Sequence, residues 1–180
     1  MYKYCTTEES AGRQRQLEQA LLELMLINEY PQITISHICD RVGISRKSFY
    51  RYFSNKEGCL FALMDHAIFD GAAYYLPGLA DRKTTRIIYE RFFTYWKDQH
   101  KLLEALNQNS LSMMLVERML VYVSSEEQGF RLLYQTQGDD AHEQSLFYIG
   151  GIMSILLDWH KSGYQKSIAQ MSRILDNLIG

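Results

Sequence analysis

The sequence predicts an all-α protein, and three observations carry that prediction. Only two prolines, Pro31 and Pro77, interrupt 180 residues, and proline is the residue a helix interior tolerates least. Alternating β-branched and aromatic runs, which mark strands, are few. Apolar residues recur instead three and four apart through most of the chain. The length can bury one good core or two small ones. A hydrophobic share of 47%, broken throughout by charges, is that of an ordinary globular chain rather than a disordered or fibrous one.

Residues 1–11 are polar and are expected to form a mobile arm. Leu17, Leu21, Leu24 and Ile27 mark a first helix over about 12–29, ended by Tyr30-Pro31. Thr34 is placed to cap a second helix, since its hydroxyl can accept from the first backbone N–H groups. Ile35, Ile38 and Val42 give that helix one apolar stripe. Gly43 stands where it must turn, because glycine enters the left-handed conformation without a Cβ clash. Ile44 packs under the corner, and Ser45 caps the next helix, Arg46 to Tyr52. Two capped helices around one sharp corner make a helix-turn-helix. Ser54 or Asn55 then caps a long helix that opens with Lys56 and Glu57 and runs through Leu60, Phe61, Leu63, Met64 and Ile68 towards Tyr75.

Pro77-Gly78 marks a break. Helices are predicted beyond it over 83–98 (Ile87, Ile88, Phe92, Tyr95, Trp96), 100–108 (Leu102, Leu103, Leu106) and 110–123 (Leu111, Met114, Leu115, Met119, Val123). Ser124 to Glu127 reads as the cap and first turn of another helix carrying Phe130, Leu133 and Tyr134, with a loop at Gly138-Asp139-Asp140. Asp140 is placed to cap a long helix over 141–161, and a last helix over 166–178 carries Ile168, Met171, Ile174, Leu175 and Leu178. Gly150 and Gly151 inside the long helix cost roughly 1 kcal/mol each relative to alanine, which close approach of another helix would offset.

The net charge of −2 is unevenly spread. Residues 1–60 hold eight Lys/Arg against seven Asp/Glu, whereas residues 61–180 hold eleven against fourteen. From Arg41 to Lys56 there are five basic residues, Arg41, Arg46, Lys47, Arg51 and Lys56, and no acidic one. Phosphate responds to the local field, so a negative total does not exclude DNA. Arg46, Lys47, Ser48, Tyr50 and Arg51 gather donors on the second helix of the helix-turn-helix, while Phe49 and Phe53, four apart, face inward. A helix so divided suits a DNA major groove, with side chains on base edges and neighbours on phosphates. A solvated basic helix of some other α-protein shows the same charge pattern, and short helix-turn-helix patterns recur by chance.

Residues 13–62 resemble the N-terminal domain of the TetR family of transcriptional regulators. The resemblance is carried by Thr34, Ile38, Gly43, Ile44 and Ser45, then by FYRYFSNKEGCL from Phe49 to Leu60. The family shows an apolar–Tyr–x–Tyr–Phe run followed by Lys-Glu and an apolar position. Ile33, Cys39, Val42 and Lys47 depart from its usual residues; the first three are packing changes, and Lys47 adds a charge at the reading helix. The resemblance implies a three-helix DNA-binding head over residues 1–60 and a larger helical effector-binding and dimerisation body over 61–180. It also implies a double-stranded DNA operator, a homodimer, a small-molecule effector and repression released by that effector. Thr34, Ser45, Arg46, Lys47, Ser48, Tyr50, Arg51 and Lys56 are the expected DNA surface. Arg46, Lys47 and Arg51 would read bases, while Thr34, Tyr50 and Lys56 would position phosphates. Arg13 or Arg15 are further candidates for backbone or minor-groove contact.

The middle of the chain is rich in aromatic residues and methionine. The family implies a pocket between helices there, and Tyr89, Phe93, Trp96, Met113, Met114, Tyr122 and Phe147 are its expected lining. The same stripes read equally as plain core. The tail from Gly150 onward is similar to the last two helices of many family members, which form a four-helix dimer interface. Gly150, Gly151, Ile155, Trp159, Met171 and Leu175 are its expected residues. A two-fold dimer would set two reading helices about one DNA turn apart, roughly 34–36 Å.

No nucleotide-binding, nucleophile-elbow or zinc-protease motif occurs, and the five histidines are dispersed, so neither an enzyme nor a cofactor is expected. Asp139, Asp140, His142 and Glu143 cluster, as acidic residues do at a loop and helix start. Cys5, Cys39 and Cys59 are too scattered for a disulfide framework or a zinc site. No apolar run is long enough for a membrane span, and no apolar signal core is seen, so a cytoplasmic protein is expected. The competing reading is a helical ligand-binding or co-activator subunit that acts through a protein partner.

Overall fold

A computed structural model describes residues 2–3, 5–75, 85–124 and 140–179. Among them are nine α-helices and no strand: α1 Glu8–Met25, α2 Ile35–Val42, α3 Arg46–Phe49, α4 Lys56–Tyr75, α5 Thr85–Asp98, α6 His100–Gln108, α7 Ser112–Ser124, α8 Ala141–Lys161 and α9 Ile168–Ile179. A short 3-10 turn, Tyr30–Gln32, joins α1 to α2. The all-α prediction holds. The predicted break at Pro77-Gly78 and the helix around Phe130 to Tyr134 lie outside the described residues.

The head is built as its caps dictate. Thr34 Oγ1 accepts from the N–H of His37, and His37 Nδ1 in return accepts from the N–H of Thr34, a reciprocal cap that fixes the start of α2. Gly43 ends α2 at φ +72°, the left-handed turn that a side chain resists. Ser45 Oγ accepts from the N–H of Ser48 to open α3. Leu17, Leu21 and Met25 of α1 close with Ile38, Phe49, Phe53 and Leu60 into a buried core.

Three features depart from the sequence reading. Helix α1 starts at Glu8, capped by the Thr7 side chain, and stops at Met25, leaving Ile27 exposed. The expected mobile arm is docked instead, since Tyr2 pairs with Phe53 and the N–H of Lys3 donates to the carbonyl of Tyr52. Helix α3 is a single turn, with Tyr50 to Tyr52 continuing as hydrogen-bonded turn rather than helix.

Helix α4 joins head to body. It packs on α1 at one side and on α5 and α7 at the other. Gly71 on α4 lets Tyr95 of α5 lie against the backbone, where an added Cβ would stand 2.7 Å from the ring, and the Tyr95 hydroxyl donates to the carbonyl of Ala67 at 2.7 Å. In the body, α9 lies along α5 and α7 along α8. Their core is aromatic: Phe93 meets Trp159 edge to face at 5.3 Å, and Trp159 meets Tyr164 at 4.7 Å. Among the described residues no helix is long and apolar enough to cross a membrane.

Candidate nucleic-acid interface

The head sorts its side chains into two sets. Phe49 and Phe53 are buried, with ring centroids 5.2 Å apart. Arg46, Lys47, Tyr50 and Arg51 are exposed around the same turn, and among the described residues no ion pair engages the three cations. Unpaired guanidinium and ammonium groups on an exposed helix are what a polyanion requires. Thr34 and Ser45 are exposed at the two helix starts, and Ser48 is half-buried with its Oγ 3.1 Å from that of Ser45. A cleft of about 310 Å³ is lined by Arg13 of α1 together with Ile44, Ser48, Arg51 and Tyr52. It brings Arg13 beside the reading turn. Arg15 faces elsewhere, paired with Asp70 of α4 at 3.0 Å. Arg41 is likewise drawn off, to Glu23 of α1 at 2.7 Å, and that guanidinium holds the Glu23 carboxyl below its usual range.

Lys56 is placed differently from what a free phosphate-binding lysine would show. Its Nζ donates to the carbonyls of Tyr30 at 2.5 Å and Ile33 at 2.7 Å, and lies 4.1 Å from the centre of the Tyr30 ring. Partial burial lowers its pKa. An ammonium has three donors, so one remains for a phosphate. Behind it, Asn109 at the end of α6 accepts from the Tyr30 N–H at 2.5 Å and donates to the carbonyl of Met25 at 3.0 Å. Lys56 is thereby tied to the body through one residue, Tyr30. Asn109 and Tyr30 carried no local sign of this role, since their partners are distant in sequence.

The other expected sites divide. Tyr89, Phe93 and Trp96 are enclosed in the core, Met114 and Tyr122 are half-buried, and Met113 and Phe147 are 64% and 76% exposed. They do not line one cavity, because α5 is covered by α4 on one side and α9 on another while Met113 and Phe147 face outward. A cleft of about 690 Å³ lies instead among α1, α2, α4, α5 and α6, with Arg13, Arg15, Glu18, Glu23, Arg41, Asp70, Tyr95 and Leu102 in its wall. Of the expected dimer residues, Trp159, Met171 and Leu175 are buried within their own chain, where Trp159 Nε1 donates to the carbonyl of Lys166 at 2.9 Å. They can support a contact face but not form it. Gly151 is exposed, Gly150 and Ile155 are half-buried, and nothing in the chain lies within 4 Å of a Cβ added at either glycine. Among the described residues no three His, Cys, Asp or Glu are grouped to hold a metal ion.

A capped helix-turn-helix with a bare basic reading turn, set on a larger helical body, defines the class: a transcription regulator with an N-terminal DNA-binding domain. Residues 19–63 match the family described as bacterial regulatory proteins, tetR family, so the chain carries that family's N-terminal DNA-binding domain. Among solved structures it is similar to the fatty acid degradation regulator FadR from Bacillus halodurans, with a TM-score of 0.65 at 16% identity over 93% of this chain and 94% of that one. It is also similar to the dihydroxyacetone kinase operon activator DhaS, with a TM-score of 0.56 at 18% identity over 92% and 93%. At those identities the likeness shows the fold. No curated protein sequence matches the chain.

Proposed function

We propose that the protein is a dimeric, ligand-responsive repressor working in the cytoplasm, with residues 1–60 as the reading head and residues 61–180 as the effector and dimerisation body. One observation carries the DNA half: exposed, unpaired Arg46, Lys47 and Arg51 on a turn whose other side is buried by Phe49 and Phe53. Arg46, Lys47 and Arg51 read base edges in the major groove, while Thr34, Ser45, Ser48, Tyr50 and the remaining donor of Lys56 position phosphates. The smooth stretch at Gly150 and Gly151, with Leu146 and Phe147 exposed beside it on α8 and Leu178 exposed on α9, supports a two-fold contact with a second copy.

An effector shifts DNA binding only by its difference in affinity for two head positions. The cleft of about 690 Å³ supports an effector site of that kind, since its walls come from head and body together, and its volume is that of a small-molecule site. The deciding experiment is binding to duplex DNA from upstream of the protein's own gene, at two salt concentrations, beside an Arg46→Ala, Lys47→Ala, Arg51→Ala triple variant. Specific, salt-sensitive binding lost in the variant supports the reading. A selection from random duplexes that returns no preferred sequence would overturn it and favour a protein partner.

A further inference from the structure

The segment before α1 is held on three sides. Tyr2 and Lys3 pair with Phe53 and Tyr52, the Lys3 N–H donating to the Tyr52 carbonyl at 3.0 Å. Gln14 of α1, wholly buried, donates from Nε2 to the Lys3 carbonyl at 3.3 Å, and its Oε1 accepts from Cys5 Sγ at 2.9 Å. On the third side the Tyr2 hydroxyl donates to Asp65 Oδ2 of α4 at 2.7 Å, and the Tyr2 ring stands edge-on to His66 at 6.0 Å.

Asp65 is 5% exposed, and its other donors come from the body. Arg118 of α7 gives Nε to Oδ1 at 2.6 Å and Nη2 to Oδ2, with its guanidinium over the ring of Phe61 at 5.2 Å. A buried carboxylate stays charged and in place only while a counterion and hydrogen bonds compensate it. One phenol cannot replace a bidentate guanidinium. Were α7 to carry Arg118 away, the Asp65 carboxylate would turn to water for the hydrogen bonds it had lost, and its fit to Tyr2 would be lost. The arm covers Tyr52 and Phe53, the residues directly after the reading turn, and Phe53 packs on Phe49 within it.

We propose that Tyr2, Lys3 and Cys5 form a strap through which Asp65 couples α7 to the reading turn. With Arg118 in place the strap is docked and α3 is held for DNA; with Arg118 displaced the strap loosens and operator affinity falls. The inference rests on the DNA-binding reading above. Tyr2, Asp65 and Arg118 are positioning residues, acting through Tyr52 and Phe53 rather than on the nucleic acid.

The test joins a readout on the free protein to one on DNA. Amide exchange at Lys3, whose N–H is the strap's own hydrogen bond, is measured in the wild type, Tyr2→Phe, Arg118→Gln and the double variant. Each single change is expected to speed that exchange about tenfold, the factor for one hydrogen bond of ordinary net strength. The double variant should be no faster than the larger single. Affinity for an operator selected from random duplexes should fall in parallel, while helical content stays unchanged. Arg118→Lys, which keeps the charge, should restore part of both. Exchange at Lys3 unmoved by Tyr2→Phe and Arg118→Gln overturns the strap, and needs no DNA to do so. Faster exchange with unchanged operator affinity overturns the coupling. If the wild type selects no sequence, the DNA-binding reading fails and the operator half of this proposal with it, while exchange still decides whether the strap exists. Tyr2→Phe, which keeps the ring and loses one hydroxyl, carries the test if Arg118→Gln does not fold.

Discussion

Replacing Lys56 by alanine tests two roles at once, and they separate cleanly. In the folded chain the ammonium gives hydrogen bonds to the carbonyls of Tyr30 and Ile33 and sits on the Tyr30 ring. The Tyr30 carbonyl keeps a second donor, the Ile33 N–H at 3.2 Å, so chiefly the Ile33 carbonyl is left unsatisfied. A charge-assisted bond contributes about 1.5–3 kcal/mol net, and a partly exposed cation over a ring about 0.5–1 kcal/mol. Solvent access puts the total near the low end, about 2 kcal/mol, which in a chain of this size lowers the melting temperature by about 4–8 °C. If the third donor also binds a phosphate, the slope of log affinity against log salt should shrink by about 0.9. Thermal melting and fluorescence-anisotropy titrations at several salt concentrations measure the two effects. An unchanged melting temperature would refute the carbonyl anchor. A lowered melting temperature with an unchanged salt slope would refute the phosphate contact alone.

Further outcomes follow from the same structure. Gly71→Ala would drive a methyl into the Tyr95 ring and should destabilise by about 1–3 kcal/mol, as overpacking does, with melting as the check. Burial pushes the Glu18 carboxyl above its usual range, although His66 Nδ1 at 2.9 Å opposes this. A raised folded-state value means the stabilisation is full below the unfolded-state pKa and is lost as pH rises through the folded-state one. The wild type should therefore lose stability across that window while Glu18→Gln does not, and denaturant melts at a series of pH values compare them. Phe147→Asp should shift sedimentation of the protein towards the monomer; an unchanged dimer would place the interface elsewhere.

What could be read in the sequence was local. Thr34, Gly43 and Ser45 announce their caps because a cap depends on neighbours three residues away, and the structure places each where its chemistry requires. The division of residues 46–53 into Phe49 and Phe53 inside and cations outside follows from the same short spacing. The docked arm was illegible, because a polar N-terminus reads as mobile until Tyr2 meets Asp65, sixty-three positions away. Asn109 and Tyr30, seventy-nine apart, were hidden for the same reason. The aromatic body failed differently. Core and pocket draw on the same residue types, so only the packing of α4 and α9 about α5 shows that Phe93 and Trp96 are enclosed whereas Phe147 is not.

The brevity of α3 has a consequence for how such a head changes over time. Four residues are too few to form a helix alone, so its shape is imposed by Ser45 before it and by Phe49 and Phe53 beneath it. Arg46, Lys47, Tyr50 and Arg51 contribute little to that shape. A library randomised at these four positions should keep nearly all of its members folded while sampling many operator preferences. New binding specificities are then reachable by single steps, without first stabilising the scaffold.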